Sequence, residues 1–292
     1  DQAETGAQEK EAANGLSSLP DAEIVSWHVA VGDHVVTDQP LVAVETDKAV
    51  VEVPSPFSGR IAKLFGEVGD MVANLIRFTL EKEGDVAAFI AEPNRAVPYI
   101  PPPGFWKKVR AACTDAGALL IFDEIPTGLG KTGKMFACDH DGAVPDILVL
   151  GKALGGGILP IAATVCRPEL DVCGDFALGH YTHEKNPVTC RAALTTIEII
   201  EEEGLVENAA CTGAWALERM GGMMDRHDAI GDVRGRGFLL GIDLVEDRSS
   251  KEPARELAEE VLYRCLDNGL SFKISMGSVL TLTPALVTTR AQ

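Results

Sequence analysis

Apolar and polar residues change rhythm once along this chain. From Leu16 to about Val72, short alternating runs are cut by turn residues: VGD at 31–33, TDQP at 37–40, TDK at 46–48, PSPFSG at 54–59 and EVGD at 67–70. That rhythm predicts a small all-β sandwich or flattened barrel. From Val86 the runs lengthen and become continuous. VAAFIAE (86–92), ALLIFDE (118–124), DILVLGK (146–152) and AATVCR (162–167) predict strands buried on both faces, as in a parallel sheet. Between the first two, PGFWKKVRAACTDAGA predicts a helix with Pro103 near its start, one face of Phe105, Val109 and Ala112, and Gly117 as its stop. Further helices are predicted at about 187–203 and 206–226. A smaller α/β segment follows, with FLLGIDLV (238–245) as a strand and 254–269 as a helix.

Charge marks the same boundary. Residues 1–74 hold 13 acidic and 4 basic side chains, half of a net charge of −18 over 292 residues. The expected organisation is a polar linker at 1–14, a β domain at 15–74, and an α/β portion divided into 75–204 and 205–292. With 44 acids against 26 bases there is no basic stripe to neutralise phosphates, which excludes nucleic acid and an anionic membrane as main partners. No apolar run approaches the ~20 residues of a membrane span, and the first residues lack a signal-peptide pattern, so a cytoplasmic protein is expected. Seven cysteines without a C-x-x-C pair argue against disulfides or zinc, and most are expected in apolar surroundings. His180 and His183 stand close together without metal-ligand spacing, so no metal site is expected.

Two lysines carry candidate chemistry. In LVAVETDKAVVEV (41–53), β-prone arms meet at Thr-Asp-Lys, which holds Lys48 at an exposed tip where an enzyme can acylate it. The alternative is an unmodified turn lysine. The run ETDKA, preceded by DAEIVSWHVAVGD and followed by SPFSG, resembles the lipoyl domain of 2-oxo acid dehydrogenase complexes over about 15–74. The resemblance implies lipoate in amide linkage on Lys48 and a lipoylating enzyme as partner. A biotin carrier would read AMKM here. The match departs at its opening strand, where this chain has NGLSSLP, and at its close, where GDMV runs into ANLIRFTL.

In the second portion, Asp123 and Lys152 stand at the carboxyl ends of two expected neighbouring strands, the edge where open α/β sheets bind ligands. A lysine beside a carboxylate can form a Schiff base while the carboxylate holds a pyridine nitrogen protonated. A structural aspartate and a solvated lysine would look the same. Gly155, Gly156 and Gly157 permit close backbone approach. The blocks IFDEIPTGLGKTGKMFA, PDILVLGKALGGG, THEKNPV and IGDVRGRGFLLGIDLV, in that order, resemble the class III aminotransferases of the fold-type I pyridoxal phosphate enzymes over about 76–290. The resemblance implies a partial large domain followed by a C-terminal small α/β domain. It makes Lys152 the catalytic, Schiff-base lysine, Asp123 the partner of the pyridine nitrogen, and Thr182 the residue reaching the cofactor phosphate of the opposite subunit in a homodimer. Glu92-Pro93 and Arg234-Gly235 match positions read as structural.

Two departures bear on the substrate. The family's glutamine after D-E-[VI] is Pro126, which lacks an N–H, and its arginine three residues before P-P-L is Thr281, followed by Pro284-Ala285-Leu286. A hydroxyl lacks the bidentate guanidinium fork, so an ordinary α-carboxylate substrate is disfavoured. The family's N-terminal strands and phosphate loop have no counterpart between 76 and the β domain, so weak or no activity is expected from this chain alone. Three readings follow: a pyridoxal phosphate-dependent aminotransferase acting on a small amine or amino acid, or alternatively an ammonia- or phospho-lyase acting on an amino-alcohol phosphate or phosphonate; a lipoyl carrier with a non-catalytic remnant; and a fusion of two incomplete frames.

Overall fold

The computed structural model describes residues 23–29, 33–36, 39–46, 49–54, 59–60, 70–173, 175, 182 and 184–292. The chain divides into two compact units, 1–85 and 86–292.

In the first unit, β1 (Glu23–Trp27), β3 (Pro40–Thr46) and β4 (Ala49–Pro54) form an antiparallel sheet in the order β1-β3-β4. Short strands β2 (His34–Val35) and β5 (Gly59–Arg60) pair separately. The β3–β4 register runs from Pro40↔Pro54 to Thr46↔Ala49, and Asp47 and Lys48 lie outside the described residues. Residues 70–83, which span the expected boundary between 74 and 75, form one helix, α1 (Asp70–Glu83). Ala73 and Leu80, seven residues apart and on one helical face, are its buried positions.

The second unit opens with a four-stranded sheet in the order β6-β7-β8-β9: β6 (Ala88–Ala91), β7 (Leu119–Asp123), β8 (Ile147–Leu150) and β9 (Ala163–Cys166). Pairs β6–β7 and β7–β8 are parallel. The fourth strand departs from expectation: β9 runs antiparallel to β8, and three of its four residues are exposed. A parallel return needs a crossover, usually a helix. Only a one-turn 3-10 segment (Lys152–Gly155) lies between β8 and β9, so the chain doubles back and β9 becomes an exposed edge.

Helix α2 (Phe105–Asp115) supplies the crossover between β6 and β7. Its Val109, Ala112 and Cys113 are buried, and Trp106 stacks edge-on against Phe122 of β7 at 4.8 Å while its Nε1 donates to Pro93 O at 2.7 Å. Helices α3 (Pro187–Glu202) and α4 (Leu205–Gly221) follow; α3 starts from Asn186, whose side chain accepts from Val188 N. The last portion is an antiparallel sheet in the order β10-β11-β13-β12, from β10 (Ile230–Arg236), β11 (Leu239–Leu244), β12 (Lys273–Ser275) and β13 (Val279–Leu282). Helix α5 (Arg255–Asp267) covers it through Ala258, and Ile242, Leu244 and Leu280 complete that core.

Glycines set the closest approach in this unit. A Cβ on Gly213 of α4 would lie 2.1 Å from Gly237 O in the β10–β11 turn, and one on Gly237 (φ 57°) would lie 2.4 Å from Thr132 C. Backbone touches backbone there, which only glycine permits. The cysteines depart from expectation: Cys113 and Cys138 are buried, but Cys166, Cys190 and Cys211 are exposed. Cysteine is small enough to sit on exposed helix and edge-strand faces at little cost.

Candidate active site

Asp123 ends β7 and pairs with Val149 of β8; Lys152 stands three residues beyond Val149. Parallel pairing thus delivers both side chains to one edge of the sheet. The loops that follow the two strands touch. A Cβ on Gly151 would lie 3.4 Å from Ile125 Cγ1 and 3.7 Å from Ala162 Cβ, so glycine before the lysine lets the turn close onto the segment after the aspartate. Asp123 Oδ1 accepts from Ile125 N at 2.9 Å, and Oδ2 has no hydrogen-bond partner among the described residues.

Lys152 is exposed and has φ of 45°, a left-handed conformation unusual for a residue with a side chain. It borders an open depression of about 520 Å³ together with Pro160, Ile161 and Ala162. Helix α3 packs against its turn, and a Cβ on Gly156 would reach Thr196 Oγ1 of that helix at 3.0 Å.

Beneath this edge lies a residue the sequence reading passed over. Glu124, next to Asp123, is 1 % exposed. Its Oε1 accepts from Cys138 N and its Oε2 from Thr127 Oγ1, both at 2.8 Å, which ties the 125–138 loop to the strand end. Burial pushes its carboxyl above the usual range, against the pull of those donors. A second acid directly after the strand end, between Asp123 and Ile125, was the available signal. Lys131, in the same loop, donates to Pro284 O at 3.0 Å, and burial lowers its ammonium.

The other expected residues are dispersed. Thr182 is exposed and does not line the depression. Lys48, His180 and His183 lie outside the described residues. Thr281 is 4 % exposed, and its Oγ1 donates to Ser275 Oγ at 3.0 Å, so the hydroxyl is committed inside the antiparallel sheet. Pro126 is half-buried in the loop after Asp123. Glu92 Oε2 caps Ala96 N, while Arg234 joins Pro98 O at 2.8 Å to Asp232 and Asp243. Among the described residues no group of three His, Cys, Asp or Glu side chains could hold a metal ion.

A match to the family described as aminotransferase class-III covers residues 51–292. The chain belongs to the class-III aminotransferase family. A match described as biotin-requiring enzyme, the biotin/lipoyl domain, covers residues 16–74. The (R)-1-hydroxy-2-aminoethylphosphonate ammonia-lyase of Vibrio splendidus (strain 12B01) is 42% identical over 219 residues, 75% of this chain and 46% of that protein. The adenosylmethionine-8-amino-7-oxononanoate aminotransferase of Staphylococcus aureus (strain NCTC 8325 / PS 47) is 37% identical over 228 residues, 74% of this chain and 50% of that protein. A Bacillus anthracis aminotransferase superposes with a TM-score of 0.71 at 32% identity, over 75% of this chain and 52% of that one. A thermostable omega transaminase from Pseudomonas jessenii does so at 0.72 and 31%, over 78% and 54%. The chain spans about half the length of these relatives.

Class-III aminotransferases use pyridoxal phosphate, and the residues present fit its reactive end. An exposed lysine beside a depression of about 520 Å³ suits an aldehyde, and a half-buried carboxylate with one oxygen unbonded among the described residues suits a ring N–H. Among the described residues, no helix is long and apolar enough to cross a membrane.

Proposed function

We propose that Lys152 binds pyridoxal phosphate covalently and that this protein transfers an amino group from a small amine or amino acid. The observation that carries this reading is the placement of Asp123 and Lys152 on one sheet edge, with Ile125 and Gly151 bringing their loops into contact. Asp123, through the oxygen that has no partner among the described residues, would hold the pyridine nitrogen in its protonated form. The lysine would supply the amine that anchors the aldehyde and a base able to move a proton at the reacting carbon. When bound, the cofactor supplies an electron sink. Thr182 is assigned to the cofactor phosphate of a second subunit, so the working form is a homodimer, located in the cytoplasm. In the N-terminal unit, read as a lipoyl-type sandwich over 15–74, Lys48 carries lipoate.

Thr281 favours a second reading. A hydroxyl already paired with Ser275 does not offer a carboxylate the two-pronged contact of arginine. Together with the 42% identity to an ammonia-lyase acting on an aminophosphonate, this supports elimination from an amino-alcohol phosphate or phosphonate as the alternative to transamination.

The test is intact mass and peptide mapping after pyridoxal phosphate and borohydride, and separately after a lipoylating enzyme with lipoate. A phosphopyridoxyl group confined to Lys152 and absent from Lys152→Ala supports the reading. Label scattered over surface lysines, or unchanged in the variant, overturns it. Release of free ammonia without a keto-acid acceptor selects elimination; dependence on an acceptor selects transfer.

A further inference from the structure

The segment 283–288 is tied down from two directions. Lys131 donates to Pro284 O at 3.0 Å and Thr283 O at 3.5 Å. Asn208, on α4, donates from Nδ2 to Leu286 O at 2.7 Å and Thr288 O at 3.0 Å. The amide's oxygen accepts from Thr212 Oγ1 at 3.1 Å, so both ends of the Asn208 side chain are engaged.

Between these ties, Leu286 packs against the cluster formed by Leu129, Leu150, Leu154, Ala193, Ile200 and Leu205. Leu150 and Leu154 flank Lys152, and Leu129 belongs to the loop that follows Asp123. The fit is close: a Cβ on Gly130 would lie 3.4 Å from Leu286 Cδ1. Lys152, between Leu150 and Leu154 of that cluster, has φ of 45°. A side-chain-bearing residue stays in that region only where its surroundings over-determine it. The pairing of β8 fixes one side of the turn and α3 another; Leu286 adds a support brought from far along the sequence.

We infer that Asn208 and Leu286 are positioning residues for Lys152: the amide fastens the segment, and the leucine it places keeps the turn in the conformation that aims the lysine. Neither lines the depression. The inference rests on Lys152 being the cofactor lysine.

The experiment uses the full chain and compares Asn208→Ala, Leu286→Ala, Leu286→Met and Ala258→Gly. The last destabilises the separate cluster over the antiparallel sheet, where Ala258 is wholly buried, and leaves the segment intact. Two quantities are read: hydrogen exchange of the backbone at 151–157 relative to 239–244, and the pyridoxal phosphate concentration giving half-maximal borohydride-fixed adduct on Lys152. Asn208→Ala and Leu286→Ala are expected to raise the exchange ratio and the half-saturation concentration about tenfold, the scale of two lost hydrogen bonds or a truncated half-buried leucine. Leu286→Met should restore most of both, while Ala258→Gly, by loosening the 239–244 reference strand, should lower the ratio and leave the half-saturation concentration unchanged. The inference is overturned if the alanine variants leave the ratio unchanged, or if Ala258→Gly raises both quantities as far. An exchange ratio that responds to the variants in a wild-type chain forming no adduct would support the bracing and sink the cofactor assignment instead.

Discussion

Removing the Asp146 carboxylate tests how the two site residues are held at a common edge. Asp146 lies at the amino end of β8, and its N–H donates to Leu120 O of β7 at 2.8 Å. Its Oδ2 accepts from Leu120 N at 2.7 Å and Arg110 Nη1 at 2.6 Å, while Oδ1 pairs with Arg167 Nη2 at 3.2 Å. One side chain therefore locks the register of the strands whose far ends carry Asp123 and Lys152. Leu120 is wholly buried, so Asp146→Ala strands its N–H, at about 1–3 kcal/mol. The Arg110 and Arg167 side chains are 22% and 55% exposed, so losing their pairing adds only about 0.5–1 kcal/mol. The expected loss is about 1.5–4 kcal/mol for alanine. Asp146→Asn, which keeps an acceptor for Leu120 N and gives up the charge, should lose about 1 kcal/mol.

The pH dependence separates these contributions. Burial alone would raise the Asp146 carboxyl, but the Arg110 bond, the Leu120 N–H and the two arginine charges outweigh it and hold the group below its ordinary value. A depressed folded value means the stabilisation is present above the unfolded value of about 3.9 and is lost as pH falls through the folded one. Urea melts and hydrogen exchange at Leu120, at neutral pH and at about pH 3, would show the wild-type-to-asparagine gap narrowing on acidification. A gap that persists in acid, or an alanine variant no worse than asparagine, would refute the reasoning.

Two further changes have directions fixed by the structure. Gly213→Ala places a Cβ 2.1 Å from Gly237 O, backbone against backbone, and should cost about 3 kcal/mol in urea unfolding; a cost under about 1 kcal/mol would mean that α4 and the β10–β11 turn separate freely. Glu124→Gln removes a carboxyl that burial holds above its ordinary value. That group's contribution is present below about pH 4.3 and lost as pH rises through the raised folded value, so the variant should show a flatter stability profile above about pH 4.3 and match or exceed wild type at neutrality. An unchanged slope would sink the assignment.

Where the sequence was informative, the information was local. Continuous apolar runs found β6, β7 and β8, although burial on both faces is not what they share: β6 lies at the sheet edge with none of its four residues buried and Ile90 63% exposed. The position of Asp123 and Lys152 at strand ends followed from those runs alone. The same rule misplaced β9, since Ala, Val and Cys also suit an edge strand, and direction is set by the length of the connection. The small strands β12 and β13 were missed because KIS and VLTL are too short to show a period.

What holds the candidate site together was least legible, because its partners are distant in sequence. Asn208 is one polar residue on an amphipathic helix, indistinguishable by spacing from a solvated one; only the fold brings it to Leu286 O, seventy-eight positions away. Lys131 looks like any lysine in a glycine-rich loop until Pro284 O is found above it, 153 positions on. Glu124 is the intermediate case, visible as a second acid at the end of an apolar run, with its purpose fixed only by Cys138 N and Thr127 Oγ1. Sequence motifs therefore point to the groups that would do chemistry, and long-range polar ties decide whether those groups are aimed. Thr281 completes the argument from the other side: the motif position is where guanidinium would be sought, yet its hydroxyl already donates to Ser275 Oγ, so this position offers no two-pronged contact to a carboxylate.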